Sequence, residues 1–193
     1  MDEWASMAVK ILISNVFGTI NRGDALLVET LMAELREVFS HDVIYVGIAN
    51  RPDLQEKHMP EVQWNQQPGR SDKSNKVMRR VENIVYAITS IAFVILKTPK
   101  QFPKCILPKS QQEALRNIRS SDLIISCPGG FLNELNSSTL ISLLQLWAAK
   151  HFNKRLLLAP QTIGPMSTKM MKKLCGHVLQ HSELIFVRED YSL

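Results

Sequence analysis

Short apolar runs separated by helical patterns are what most constrain the fold of this chain. VKILIS (Val9 to Ser14), DVIYVGI (Asp42 to Ile48), DLIIS (Asp122 to Ser126), KRLLLAP (Lys154 to Pro160) and the run from Glu183 to Val187 are apolar without strict alternation. Such strands are buried on both faces, as in a parallel sheet covered by helices. Between the first two, Leu27, Leu31, Leu35 and Phe39 recur every four residues within Arg22 to Phe39, which puts them on one helical face. Helical patterns also cover Lys76 to Leu96, Gln111 to Arg119, Thr139 to His151 and Ser167 to His181. Residues 51–75, with Pro52, Pro60 and Pro68 among polar neighbours, read as a long loop. This rhythm predicts an α/β fold, an open doubly wound parallel sheet of Rossmann-like type. The length of 193 residues suits one domain with a substantial core. The pattern stops at Tyr191-Ser192-Leu193, just after a strand, so the expectation is one domain over residues 1–193 that is a fragment of a longer protein.

Charge and cysteine use narrow the function classes. Net charge is +5, and much of the excess lies in Arg70, Lys73, Lys76, Arg79 and Arg80, then Lys97, Lys100, Lys104 and Lys109. These flank the most apolar run, Ile84 to Leu96. Its 13 residues are too few to span a bilayer. They suit a buried core helix or, with basic flanks, a helix lying on an anionic membrane surface. The basic residues lack interleaved aromatics and known nucleic-acid-binding spacings, which argues against nucleic acid as a partner. The N-terminus lacks the basic start of a signal peptide. Cys105, Cys127 and Cys175 are scattered, which points to a reducing, cytoplasmic compartment. His177 and His181 stand one helical turn apart near Cys175, but no HExxH pattern accompanies them, so no metal site is expected. Ser126 and Ser167 lack a G-x-S-x-G elbow.

In an open parallel sheet, ligands bind outside the carboxyl ends of the strands. Four segments fall there. FGTINRGD follows the first strand. In it Asn21 and the loop amides around Gly23 can hold a ligand, and Asp24 can cap the next helix or accept hydrogen bonds from sugar hydroxyls. CPGGFLNE follows Ser126. In it Gly129 and Gly130 are read as a turn that leaves bare N–H groups near a helix start, and Glu134 as an acid or base. PQTIGP follows Ala159, with the two-way amide of Gln161 and a turn at Gly164-Pro165. RED follows Val187, with Arg188 as a fork for carboxylate or phosphate and Glu189 beside it. Each also has a plain structural reading as a turn, a cap or a surface ion pair.

Taken in order, these segments resemble the polysaccharide pyruvyl transferase family. The matching motifs are N-x-G-D (Asn21 to Asp24), D-x-I-I-S-x-x-G-G (Asp122 to Gly130), Q-x-I-G-P (Gln161 to Pro165) and V-R-E-D-x-S (Val187 to Ser192). Residues 49–121 add little. Relatives often carry three glycines where this chain has Pro128-Gly129-Gly130. The resemblance implies the N-terminal half of a GT-B-like two-domain architecture. It implies transfer of pyruvyl from phosphoenolpyruvate to two hydroxyls of a cell-wall or exopolysaccharide sugar, forming a ketal and releasing phosphate. Phosphoenolpyruvate is then the donor substrate, with Arg188 in contact with it, and no separate cofactor is expected. The acceptor is a sugar or lipid-linked glycan, and the location is the cytoplasm or the inner face of the membrane. Two rivals stand beside this: a GT-B-like glycosyltransferase using a nucleotide sugar, and a non-catalytic truncated domain that binds glycan or a partner chain. The sequence leaves the oligomeric state open.

Overall fold

The structure, a computed structural model, describes residues 8–17, 22–39, 43–68, 76–95, 109–136 and 138–188. In chain order the elements are β1 (Val9–Val16), α1 (Arg22–Val38), β2 (Val43–Ala49), α2 (Pro52–His58), β3 (Gln63–Gln66), α3 (Lys76–Ile95) and α4 (Lys109–Ser120). Then come β4 (Leu123–Ser126), β5 (Gly129–Leu132), α5 (Thr139–His151), β6 (Arg155–Ile163), α6 (Lys169–Leu179) and β7 (Leu184–Val187).

All seven strands pair in parallel. β4 and β7 both pair with Leu157 and Leu158 of β6, so they lie on its opposite edges. β5 and β7 both pair with Gln161 of β6, which puts β5 on the edge that β4 occupies. β5 therefore prolongs β4 past a break at Cys127-Pro128. Across the sheet the order is β3, β2, β1, then β4 with β5, then β6 and β7. The chain winds one way from β1 to β3 and the other way from β4 to β7, so the order reverses between β1 and β4.

Both faces of the sheet are covered, as its apolar strands require. Ile11 and Ile13 of β1 pack with Val28, Met32 and Leu35 of α1. Leu12, pointing the other way, joins Ala114 and Ile118 of α4, Leu143 and Leu146 of α5, and Val178 of α6. The fold is thus the α/β, Rossmann-like open sheet expected from the sequence. Two-sided burial fails at the outer strands: β3 has no buried residue, and Leu184 and Phe186 on one face of β7 are exposed.

Three expectations need correction. Residues 51–75 are not simply a loop: they contain α2 and β3. Pro52 stands at the start of α2, where its missing N–H costs nothing. β3 reads as polar but pairs with β2, and its Trp64 indole covers Gly47 so closely that a Cβ there would lie 2.2 Å from ring carbons. Next, β6 does not stop at Pro160 but runs on to Ile163 beside β5. Finally, α3 is a core helix on one side alone. Tyr86 is fully buried, whereas Ile84 and Ile88 are exposed. Among the described residues no helix is long and apolar enough to cross a membrane.

Candidate functional site at the switch point of the sheet

Where strand order reverses, the carboxyl ends of neighbouring strands open into a crevice suited to a ligand. Here that crevice lies beyond β1 and β4. The pairing of β1 with β2 shifts register between Ile13 and Val16. Inside the shift Asn15 adopts φ 63°, a left-handed conformation that Asn tolerates better than most residues. Its Nδ2 lies 3.4 Å from Ser126 Oγ on β4. The same oxygen accepts a 2.8 Å hydrogen bond from Gln161 Nε2 on β6. Asn15, Ser126 and Gln161 are all buried, so a polar row crosses three strands at the ligand edge. Among the described residues Asn15 Oδ1 and Gln161 Oε1 have no hydrogen-bond partner. A buried acceptor left open costs free energy in the empty protein, and one that lines a cleft is ready for a donor brought by a ligand.

The cleft has a volume of about 260 Å³ and is lined by Asn15, Phe17, Asp24, Val28, Cys127, Pro128, Gly129, Gly130, Phe131 and Asn136. Drug-sized ligands usually occupy sites of about 300–1,000 Å³, so this one suits a ligand of about one ring. Phe17 and Phe131 stack at 5.0 Å between centroids and 26° between planes, and both line the cleft. Asp24, in the first turn of α1, is the one charged side chain among the described lining residues. Burial, and then the charge of Asp24, push the Cys127 thiol pKa up, which keeps it a neutral wall rather than a nucleophile. Amides, a carboxylate and an aromatic pair suit a hydroxyl-rich ligand.

The sequence-predicted residues are distributed unevenly about this cleft. Asp24, Gly129 and Gly130 line it, while Gly23 is exposed in the same turn of α1. Gln161 does not line it but donates to Ser126, whose hydroxyl also meets Asn15, a lining residue. Gly164, with φ 95°, donates its amide to Leu132 O at 2.8 Å beyond the end of β6. Arg188 follows β7, is exposed, and donates its backbone amide to Gln161 O at 3.1 Å. It stands on the same sheet edge but not among the lining residues. Asn21 and Glu189 lie outside the described residues.

Two local environments differ from expectation. Gly129 and Gly130 do not form a turn before a helix. They belong to β5, which pairs with the prolonged β6 across a register shift, and α5 begins only at Thr139. Gly130 O accepts from Asn133 Nδ2 at 2.7 Å. Glu134 turns its carboxylate to the segment entering α6, where Oε2 accepts from the amides of Ser167 and Thr168, the latter at 2.9 Å. Hydrogen bonds from Thr168, and then Ser167, hold its carboxyl below the usual range.

Sequence reasoning missed Asn15, Phe17, Phe131 and Asn136 as cleft residues. The available signal was the polar pair Ser14-Asn15 closing an apolar strand, with Phe17 just beyond. A family model described as polysaccharide pyruvyl transferase matches residues 21–193. No curated protein and no solved structure matches the chain.

Proposed function

The chain belongs to the polysaccharide pyruvyl transferase family, and from that premise we propose that the cleft at β1 and β4 holds the sugar acceptor of a pyruvyl transfer. The family description supports a transferase with a polysaccharide or glycan acceptor. The donor in this reading is phosphoenolpyruvate. One sugar hydroxyl loses its proton and adds to C2 of the enol phosphate, while C3 gains a proton and becomes a methyl group. The second hydroxyl then displaces phosphate at C2 and closes the ketal.

The observation that carries this reading is that Asp24 and Asn15 line one cleft, and that the buried Oδ1 of Asn15 has no hydrogen-bond partner among the described residues. Two acceptors suit two hydroxyls. Asp24 is the group placed to take the proton of the attacking hydroxyl, and the stacked rings of Phe17 and Phe131 offer an apolar wall to a sugar ring. The same carboxylate would repel a phosphate placed beside it. The anionic donor is therefore assigned to the Arg188 side of the edge, over the end of β6, where a guanidinium fork matches carboxylate or phosphate. Glu134, with Oε2 already engaged by two amides, is a positioning residue that fixes the entry to α6.

Phosphate release from phosphoenolpyruvate, measured with and without candidate sugars or lipid-linked glycans, tests this. Release that requires an acceptor, and that Arg188→Ala cripples while the fold is retained, is the expected result. Turnover of a nucleotide sugar instead would identify a glycosyltransferase. Glycan binding without either reaction would identify a binding domain.

A further inference from the structure

The face formed by α3, α5 and α6 carries an apolar surface that the sugar cleft does not use. Val77, Val81, Ile84, Ile88 and Ile91 follow one another at alternating spacings of four and three residues, which keeps them on one stripe of the helix. Each is between 39% and 71% exposed. Tyr86, which is fully buried, shows that a different side of α3 holds it to the domain. At Ile91 the stripe opens into a groove of about 520 Å³, lined also by Leu140, Leu144, Trp147, Met170 and Leu174.

Basic side chains gather at the margin of this groove, with Lys173 and Lys150 as its charged members. Lys173 and His177 line it. Lys150 Nζ lies 2.7 Å from His177 Nε2, and the His181 ring centroid is 5.0 Å from that of His177. Burial, then the charges of Lys150, His181 and Lys173, lower the His177 pKa. Every charged group acting on this imidazole is a base. The sequence repeats the bias. Residues 70–109, which carry α3, hold nine Lys and Arg against Asp72 and Glu82, while the rest of the chain holds fourteen against sixteen. The positive excess of the whole chain therefore belongs to the segment that bears the apolar stripe.

We propose that this face docks on an anionic lipid bilayer, with the α3 stripe and the rim of the groove entering the interface and the surrounding cations meeting lipid phosphates. Interfacial helices are held by just this sum of buried apolar area and attraction to anionic headgroups. A second copy of the chain, stripe against stripe, would press two basic segments together, whereas an anionic surface neutralises them. Docking of this kind does not depend on the assignment of the sugar cleft.

Co-sedimentation of the full chain with vesicles tests the proposal. One set is phosphatidylcholine alone, and in the other phosphatidylglycerol replaces half of it. Binding to the anionic set, weakened by salt and roughly tenfold or more weaker on the neutral set, is expected. Ile84→Asp and Ile88→Asp, both at exposed positions, should each abolish binding while circular dichroism stays native. Lys173→Ala should weaken it roughly fivefold, the usual effect of one surface cation lost. Equal binding to both vesicle types, or none, overturns the proposal. So does a stable dimer in analytical ultracentrifugation that Ile88→Asp converts to monomer, since the stripe then belongs to a second copy.

Discussion

Gln161 on β6 donates to the hydroxyl of Ser126 on β4 at 2.8 Å, and Asn15 on β1 approaches that same oxygen from the other flank at 3.4 Å. One hydroxyl thus ties three strands together under the cleft. Ser126→Ala removes the shared acceptor, which costs Asn15 Nδ2 its contact and leaves Gln161 Nε2 with the longer one, 3.4 Å to Ser126 O. The expected cost is about 1–3 kcal/mol, read as a lower urea midpoint with an unchanged slope. Acceptor binding should weaken as well, because Asn15 loses the contact that fixes its side chain.

Asp24 separates function from folding. Asp24→Asn keeps the size of the side chain and removes the negative charge. If the carboxylate takes a proton from the sugar hydroxyl, turnover should fall by about 10²–10⁴-fold. Stability should fall by only about 0.3–1 kcal/mol, the usual worth of an acid in the first turn of a helix. Steady-state kinetics and thermal unfolding of the same preparation check both numbers.

The neighbouring glycines should respond in opposite ways. Gly129 has φ 153° and an added Cβ would lie 3.3 Å from the Phe131 ring, so Gly129→Ala should cost about 1–3 kcal/mol of stability through backbone strain. At Gly130 an added Cβ meets nothing within 4 Å. Gly130→Ala should therefore fold normally and raise the KM for the acceptor, because its methyl group enters the cleft.

Most of the fold was legible because apolar strands and four-residue helical spacing report burial directly. Ile11, Leu12 and Ile13 point to alternate faces and are all fully buried, as an unbroken apolar run implies. β3 was not legible, since Gln-Trp-Asn-Gln has no apolar pattern. It is held by backbone pairing and by Trp64, which lies on Gly47 and donates Nε1–H to Met59 O at 3.0 Å. β5 was misread because two glycines signal a turn locally, while pairing of Gly129 with Gln161 and of Leu132 with Ile163 keeps the segment in the sheet across a register shift. Asp24, Gly129 and Gly130, singled out as odd residues at strand ends, line the cleft. Asn15 was not singled out, since its left-handed backbone arises from a register shift that no local pattern announces.

Glu134 gives a pH prediction with a definite sign. Its folded pKa lies below the unfolded value because Thr168 and Ser167 donate hydrogen bonds to the carboxylate. The stabilisation is therefore present above the unfolded pKa of about 4.3 and is lost as pH falls through the lower folded value. Melting temperatures of the native chain and Glu134→Gln should differ at neutral pH and converge in acid. A constant difference across that range would contradict the assignment.

The Asn15 to Ser126 contact joins residues 111 positions apart. The walls of the cleft thus come from distant parts of the chain, and no single hairpin or βα turn contains it. Long-range parallel pairing is slow to form because loop closure must precede its reward. During synthesis β1 and β2 can meet early, while the cleft must wait until β4 and β5 have left the ribosome and crossed to the far side of β1. Competence to hold a ligand is for this chain a late event in folding, and ligand binding should report on the docking of β4 and β5 beside β1 rather than on the early pairing of β1 with β2.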